Sequence, residues 1–343
     1  MGVGNTGSSL NDFEEGNLFV SDDAGASWKK ALDGPHKYEF GDQGSLLVAV
    51  KDSKKDDVSE VSYSLDHGLN WKTAALPDSL KLKPEIITTT QDSTSLKFIL
   101  VGSSGGDNYH VVALDFGGLQ EKTCEDNDME DWSARVDKDG KAICVMGHKQ
   151  TYRRRKKDAD CFLKKEFKDP VPKTEDCECS DADFECDYNF IRKDGECEKA
   201  GPIVNQGAYT VLEGTNYSIQ VDVMNTRPSN PMGVMFTSNS NGTYFVENLE
   251  HTNRNEMGNV DFEKISGIQG IFLVNTVKNW EDVEKHGGSK KEVVTQITFD
   301  DGRTFHDIKA GDDRVHLHSV THLDNVGRVF SSPAPGLVMG VGN

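Results

Sequence analysis

All seven cysteines of this 343-residue chain lie between Cys124 and Cys197. Clustering of this kind is typical of a small module held together by disulfides in an oxidising compartment. Structural zinc is the alternative, but zinc ribbons use paired CxxC knuckles, and the one close pair here is Cys177 and Cys179. The spacing therefore favours disulfides over a metal, and the odd number leaves one thiol unpaired or intermolecular.

The charge of the chain limits its partners. A formal net charge of −19 repels phosphate backbones, so nucleic acid is excluded as a partner of the whole chain. One basic run, Arg153 to Lys157, interrupts this pattern. We interpret it as the solvated face of the cysteine-rich segment, with an acidic partner or a dibasic-cutting protease as alternatives.

The chain carries no targeting signal that its sequence reveals. It has no run of 18 apolar residues, so a membrane span is not predicted, and its first 19 residues lack the basic and apolar regions of a signal peptide. Disulfides without an export signal are contradictory. We therefore expect the chain to be a fragment, or a truncated gene product, of a longer secreted or membrane-anchored protein.

The pentapeptide MGVGN opens the chain at Met1 and closes it at Asn343. A tandem array cut at equivalent points has this appearance. On that reading, residues 201–343 belong before residues 6–200 within one structural unit. Chance recurrence of a glycine-rich pentapeptide is the alternative.

Short β-type runs bounded by Gly, Asp and Asn fill both ends of the chain, whereas helical periodicity is scarce. This pattern predicts a mainly β protein built as a sandwich, barrel or propeller. We expect three regions: residues 1–120, a cysteine-rich module at 121–200, and residues 201–343. The predicted strands are Asn17–Val20, Leu46–Val50, Val61–Ser64, Phe98–Val101, His110–Leu114, Tyr217–Val223, Val234–Thr237, Ile271–Val274, Val293–Thr298 and Leu337–Met339.

Three turns share the template S/T-x-D-x-G-x-(S/T/N)-W/F, and a degenerate fourth runs from Ser238 to Phe245. We expect a hairpin loop in which the aspartate accepts backbone hydrogen bonds, the glycine takes a positive φ and the aromatic packs between strands. These turns resemble the Asp-boxes of β-propeller blades and indicate a structural role rather than catalysis. Their defining residues are Asp23, Gly25 and Trp28; Asp66, Gly68 and Trp71; and Asp300, Gly302 and Phe305.

Two glycine motifs suggest chemistry that their context does not support. Gly2, Gly4 and Gly7 fit a dinucleotide fingerprint, but a polar loop follows them where a helix should begin. Gly102 to Gly106 fits the nucleophile elbow G-x-S-x-G, but a second strand follows it, which predicts a hairpin loop. We expect no catalytic residue and no cofactor.

Two further clusters suggest metals. His316, His318 and His322 have spacing that a metal site could use, but half-buried strand histidines explain them more simply. The acidic run from Glu125 to Asp131 resembles a calcium loop only loosely, because it lacks the EF-hand glycine and the terminal glutamate. We therefore predict no metal.

Two N-glycosylation sequons, at Asn216 and Asn241, fit a lumenal location. The second lies within the degenerate turn, an exposed position where a glycan could sit.

The cysteine segment adds a more specific resemblance. Three of its segments resemble the first cysteine module of Vps10-domain (sortilin) receptors: CEDNDMEDW, CVMGHKQTYRRRKKDADC and CECSDADFECDYNF. Three further segments are similar to propeller blades of that family: YSIQVDVMN, HTNRNEMGNVDFEKISGIQGIFLVN and SDDAGASWKKALDGPHKYEF. Their amino-acid sequences are most similar to those of its fungal members. The resemblance covers nearly the whole chain.

The resemblance implies a non-enzymatic receptor. Its fungal members are membrane-anchored proteins that sort vacuolar hydrolases such as carboxypeptidase Y from the late Golgi to endosomes or a prevacuolar compartment. This chain would be part of the lumenal, cargo-binding region. An Asp-box glycosidase of the sialidase type and a non-functional truncated remnant are the alternatives.

The family's disulfide connectivity, carried over to this sequence, implies three pairs and one free thiol. The free thiol would be Cys179, because its family partner lies in a second cysteine module that is absent here. The implied pairs are Cys124 with Cys161, Cys144 with Cys177, and Cys186 with Cys197.

The chain also departs from the family pattern. A complete family domain has a ten-bladed propeller and two cysteine modules, whereas this chain resembles the end of one domain joined to the middle of another. Where some animal members place an arginine that meets a peptide carboxylate, this sequence has Gln269. The ligand-binding residues are therefore unknown at the level of sequence.

Overall fold

A computed structural model describes residues 2–53, 56–105, 108–180, 190–193, 196–199, 209–322 and 334–338. It is built from antiparallel sheets, and none of them closes into a barrel. The predicted fold class, mainly β with propeller-type blades and a small disulfide module, is confirmed.

Outside the cysteine-rich region, the strands form four antiparallel sheets, which we divide into blades 1 to 5. The eight-stranded sheet counts as two blades, because its two halves share a single residue pair, Thr252 opposite Thr276. Blade 1 contains β16 (Tyr209–Gly214), β17 (Ile219–Met224), β18 (Met232–Ser238) and β19 (Phe245–Asn253). Blade 2 contains β20 (Phe262–Lys264), β21 (Phe272–Val277), β22 (Val293–Thr298) and β23 (His306–Asp307). Blade 3 contains β24 (Lys309–Ala310), β25 (Asp313–Leu317), β1 (Gly2–Thr6), β2 (Asn17–Val20) and β3 (Lys29–Leu32). Blade 4 contains β4 (His36–Gly41), β5 (Leu46–Lys51), β6 (Glu60–Ser64) and β7 (Lys72–Ala75). Blade 5 contains β8 (Lys83–Thr88), β9 (Lys97–Ser103) and β10 (Tyr109–Asp115).

Blade 3 joins the two ends of the described chain. Strand β1 pairs with β25, with Gly4 opposite Leu317, and with β2 on its other side. Residues of the C-terminal region therefore precede the N-terminal strand within one sheet, in the order that the repeated MGVGN suggested. The second copy of the pentapeptide, Met339 to Asn343, lies outside the described residues, and the division at 120 and 200 stays a prediction.

A hydrophobic core lies at each junction between neighbouring blades. The junction of blades 3 and 4 contains Leu47 and Ala49 of β5, whereas Leu46, Val48 and Val50 of the same strand pack toward blade 5. Because successive side chains of a strand point to opposite faces, one strand supplies two cores. This explains why the inner strands are apolar at almost every position.

The cysteine-rich region forms a separate three-stranded sheet. Its strands are β11 (Met129–Trp132), β12 (His148–Arg155) and β13 (Lys173–Asp176), and β12 lies in the middle. A hairpin of β14 (Phe190–Lys193) and β15 (Glu196–Lys199) follows. We call residues 121–180 the cysteine module.

Helical structure is sparse in the described residues. One α-helix, α1 (Trp280–His286), ends at Gly287, whose φ of 61° is the left-handed conformation that glycine favours. Short 3-10 turns cover Phe13–Glu15, Asp42–Gly44, Pro77–Ser79 and Asp126–Asp128. Within the described part of the chain, no helix has the length and apolar character that crossing a membrane requires.

Most predicted strands are present, with boundaries shifted by one to three residues. Asn17–Val20 and Val293–Thr298 match the observed strands at both ends. Leu337–Met339 is not a strand in its described part, where Val338 forms an isolated bridge with Ser21. The short edge strands β3, β7 and β20, and all three strands of the cysteine module, were not predicted, because their sequences are too polar to show alternation. Several longer strands were also not predicted, namely β1, β4, β8, β16, β19 and β25.

Candidate functional site

The cysteine module is held by two disulfides. They join Cys124 to Cys161 and Cys144 to Cys177, with Cα–Cα distances of 5.0 and 6.0 Å. Both pairs are those that the family resemblance implied. Cys179 is exposed and has no disulfide partner in the described part of the chain. The third implied pair includes Cys186, which lies outside the described residues, so this pair stays a prediction.

The three complete Asp-boxes have the same hydrogen-bond pattern. In the first, Asp23 Oδ1 accepts from the Ser27 backbone N–H at 2.9 Å, and Ser21 Oγ accepts from Gly25 N–H at 2.9 Å. The second and third boxes repeat these contacts around Asp66 and Asp300. The same sequence pattern therefore forms the same hydrogen-bonded loop at three places in the chain.

The residue before each box glycine also has a positive φ, which the sequence reasoning missed. Ala24, His67 and Asp301 have φ of 61°, 57° and 62°, followed by glycines at 90°, 82° and 84°. Two left-handed residues in succession are the geometry of the tightest hairpin turns. The indole of Trp28 then closes the first loop by donating to Gly25 O at 2.9 Å.

In the degenerate fourth turn, a neighbouring residue replaces the aspartate. Asn239 Oδ1 accepts from the Thr243 backbone N–H at 2.9 Å, where the template would place the side chain of Ser240. Asn241 of the sequon is exposed on this loop. Asn216 is also exposed, although its sequon partner Ser218 is buried beneath it.

Three arginines of the cysteine module each bind one Asp-box. Arg154 Nη1 donates to Asp22 O at 2.6 Å, Arg155 Nη2 donates to Leu65 O at 2.6 Å, and Arg135 Nε donates to Phe299 O at 2.7 Å. Each carbonyl belongs to the second residue of its box. The module is therefore docked on the blades by one repeated contact, made in blades 2, 3 and 4.

The interpretation of the basic run as a solvated face is wrong for two of its arginines. Arg155 is 5% exposed, and its guanidinium also donates to Cys161 O, Lys156 O and Ala159 O. Burial lowers the pKa of this guanidinium, although nearby carboxylates, Asp42 first among them, act in the opposite direction. A buried arginine that binds backbone cannot serve as an exposed protease site.

The acidic run faces the basic run across two paired strands. Glu130 lies opposite Arg154 and Asp131 opposite Arg153, with ion pairs of 2.9 and 3.1 Å. These carboxylates therefore bind arginines rather than converging on a cation. In the described ranges, no group of three or more His, Cys, Asp or Glu side chains could hold a metal ion.

The three candidate histidines also have other roles. His316 Nδ1 accepts from the Thr295 backbone N–H at 3.1 Å, and its Nε2 lies 3.3 Å from Gly7 O. Both ring nitrogens are thus occupied, and burial lowers the pKa of this imidazole. His318 and His322 pack against Phe13 instead.

The glycine motifs lie in strands and a hairpin, as their context indicated. Gly2 and Gly4 belong to β1, and Ser103 of β9 pairs with Tyr109 of β10 across the G-x-S-x-G loop. Ser104 Oγ lies 2.8 Å from His110 Nε2, a contact that spans the hairpin. A serine–histidine pair alone lacks the carboxylate that orients the base in hydrolases.

Gln269 occupies a different contact from the one that the family comparison suggested. Its backbone carbonyl accepts from Arg135 Nη2 at 2.8 Å, beside the third Asp-box. Its side chain is exposed. The position therefore belongs to the docking contact of the cysteine module in this structure.

A cleft of about 460 Å³ opens beside the docked arginines. Its walls come from the second Asp-box, from the turn at residues 43–45, from the cysteine module and from residues 334–337. We refer to it as the basic cleft, because Arg153, Arg154, Arg155, Lys165 and Lys168 line it together with one acid, Glu166.

Repeated Asp-box blades with a disulfide module docked on them define a class of propeller-type β proteins. The sequence profile described as "Sortilin, neurotensin receptor 3" matches residues 1–87 and 198–343, and the profile "Sortilin, neurotensin receptor 3, C-terminal" matches residues 89–218. The chain therefore belongs to the sortilin (Vps10) family.

Curated relatives carry the name "Vacuolar protein sorting/targeting protein 10". The protein of Verticillium alfalfae is 81% identical over 223 residues, which is 63% of this chain. Those of Colletotrichum graminicola and Chaetomium globosum are 70% and 63% identical over 60% of it. The chain spans about 14% of the length of each of these relatives.

Proposed function

We propose that this chain is a lumenal part of a sorting receptor that binds protein cargo, with vacuolar hydrolase precursors such as that of carboxypeptidase Y as the cargo. Binding would be non-covalent, and the complex would move from the late Golgi to an endosomal or prevacuolar compartment. The observation that carries the proposal is the family match across both the blades and the cysteine module.

Two features of the structure support a lumenal location. The cysteine module contains two disulfides, and such bonds persist in oxidising compartments. Asn216 and Asn241 are exposed and available to carry the glycans that their sequons predict. Membrane anchoring of the full-length protein is part of the same proposal.

The arrangement of arginines weighs against the glycosidase alternative. Sialidase-type sites hold a substrate carboxylate with converging arginines, whereas Arg135, Arg154 and Arg155 bind backbone carbonyls of three different blades. The buried Arg254 is bound to Asp222 within blade 1. Arg154 and Arg155 both line the basic cleft, but Arg135 and Arg254 lie elsewhere, so the four guanidiniums do not form one carboxylate-binding cluster.

The test is capture of a cargo precursor by the purified chain. The carboxypeptidase Y precursor and its mature form would be immobilised separately, and binding would be followed by biolayer interferometry at pH 7 on monodisperse protein. We expect saturable binding to the precursor and weaker binding to the mature enzyme. Equal binding to both, or no binding by a folded chain, would contradict the proposal and favour a non-binding remnant.

A further inference from the structure

The basic cleft carries positive charge that the chain does not balance internally. Arg153 and Arg154 are paired with Asp131 and Glu130. Arg155 has carboxylates nearby, Asp42 first among them, and its guanidinium is occupied by backbone carbonyl groups. Lys165 and Lys168 form no ion pair among the described residues, and Glu166 is the one acid in the described lining. In a chain with a net charge of −19, this concentration of cations is the reverse of the overall balance.

The floor of the cleft holds a buried polar group without a partner. His67 of the second Asp-box is 6% exposed, and its Nδ1 has no hydrogen-bond partner. Burial, followed by the charges of Arg155 and Arg154, lowers the pKa of this imidazole to about 3, so the ring is neutral at cellular pH. A neutral imidazole can donate one hydrogen bond to a carboxylate, and buried polar groups are seldom left unpaired in folded proteins.

The walls of the cleft are apolar. Met129, Leu163, Pro170 and Leu337 line it between the charged groups. Its volume of about 460 Å³ is in the range of pockets that enclose a drug-sized ligand, so it has room for a few side chains of a longer peptide. The lining therefore matches a ligand that presents carboxylates and apolar side chains together.

We propose that the basic cleft binds a short acidic peptide segment, whose carboxylates lie against Lys165, Lys168 and the floor at His67 and whose apolar side chains pack on Leu163 and Pro170. Charged hydrogen bonds would supply specificity, and the apolar walls would supply contact area. The proposal goes beyond the sorting function, because peptide binding in this cleft requires no hydrolase precursor.

Direct binding to a defined peptide tests the proposal. The probe is a fluorescein-labelled six-residue peptide that alternates glutamate and leucine, and its match replaces each glutamate with glutamine. Fluorescence anisotropy on the whole chain at 0.15 M salt would give both dissociation constants. We expect the acidic peptide to bind at least tenfold more tightly than the glutamine peptide, and equal affinities would overturn the proposal.

Variants locate the binding. Lys165→Gln with Lys168→Gln removes two exposed cations whose side chains have no described partner, so the fold should persist. The matched control is Lys138→Gln with Lys141→Gln, which removes the same charge from an exposed turn of the same module. We expect the dissociation constant to rise about tenfold or more in the first variant and less than twofold in the control.

Two results would contradict this assignment. An equal loss in both variants would indicate attraction by net charge alone. Inorganic phosphate would be tested as a competitor beside the unlabelled peptide. If phosphate displaced the labelled peptide completely, and at a lower concentration than the unlabelled peptide does, the cleft would be a site for small anions instead. The capture experiment uses a hydrolase precursor, whereas this experiment uses a short peptide. A negative result in one therefore does not decide the outcome of the other.

Discussion

The inner blades and blade 5 of this molecule differ in how many faces of their central strands are covered. In blade 4, residues Leu46 to Val50 are all buried, and in blade 2 all six residues of β21 are buried. In blade 5, residues of β9 alternate between buried and exposed. A strand that is covered on both faces becomes continuously apolar, whereas a strand covered on one face alternates.

Exposed apolar side chains lie on the open face of blade 5 and on the edge strand β16 of blade 1. On blade 5, Ile99, Tyr109 and Val111 are 47%, 66% and 71% exposed, and on blade 1, Tyr209 and Val211 are 72% and 60% exposed. Exposed apolar patches of this kind usually mark contact surfaces. We therefore expect the inner blades to contribute most of the stability of the fold, and the exposed apolar side chains to govern its association.

Truncation of an inner-blade residue should have the largest effect on stability. Leu47→Ala removes a fully buried side chain at the junction of blades 3 and 4, so we expect the free energy of unfolding to fall by about 3–4 kcal/mol. Ile99→Ala on the open face of blade 5 is the control and should cost less than about 1 kcal/mol. Urea denaturation followed by tryptophan fluorescence gives both values, and equal losses would refute the distinction between blades.

Removal of a docking arginine separates two contributions to stability. It weakens the attachment of the cysteine module and leaves the packing of the blade cores unchanged. Arg155→Leu leaves one buried and three partly buried carbonyl groups without this donor, and we expect a loss of about 3 kcal/mol. Arg153→Leu, in the adjacent exposed position, should change the free energy of unfolding by about 1 kcal/mol or less. If the Arg155→Leu and Arg153→Leu variants were equally stable, the docking contact of Arg155 would not stabilise the fold.

A half-buried acid in blade 2, Glu263, should give the inner blades a pH dependence. Burial raises the pKa of Glu263 from 4.5 to about 8, against the opposing hydrogen bond from Ser319. The folded state therefore holds this proton more tightly than the unfolded state does. Its stabilising contribution is complete below pH 4.5 and is lost as pH rises toward 8, by at most about 1.4 kcal/mol per pH unit.

Glu263→Gln isolates this contribution, since the amide mimics the protonated acid. We expect the variant to be more stable than the parent at pH 7.5 and equal to it near pH 4.5. The buried histidines His36, His67 and His316 have lowered pKa values, so they make the free energy of unfolding rise with pH. Because the parent and the variant both contain them, this contribution cancels in the stability difference between the two proteins. A stability difference that stays constant with pH would contradict the assignment.

The smallest effect on stability is expected on an open outer face. Val111→Lys should alter the free energy of unfolding by about 0.5 kcal/mol or less, while reducing self-association of the chain. Sedimentation velocity at several protein concentrations measures the association. Val171→Lys, at an 84% exposed position of the cysteine module, is the control and should leave association unchanged.

Local patterns explain what the sequence alone could predict. The Asp-box aspartates and glycines form contacts within eight residues of each other, so their template is readable from the chain. Strands such as Asn17–Val20 and Val293–Thr298 were found because their apolar runs reflect coverage by neighbouring blades. The family resemblance supplied the disulfide pairs, which spacing did not determine.

The docking contacts and the basic cleft were not predictable, because they join distant parts of the chain. Arg154 is 132 residues from Asp22, and Arg135 is 164 residues from Phe299. The basic run alone suggested a solvated surface. Its role depends on which carbonyl groups the fold brings to it, and no local pattern encodes that.

Hydrogen–deuterium exchange with peptide-level mass spectrometry tests the central distinction most directly. Backbone amides of covered strands should exchange far more slowly than those of strands at an open face. The comparison uses strands that are central in their sheets, so that edge position does not contribute. The account predicts the slowest exchange in Leu46–Lys51 and Phe272–Val277, and faster exchange in Lys97–Ser103 of blade 5. Equal protection in all three strands, or the slowest exchange in Lys97–Ser103, would contradict it.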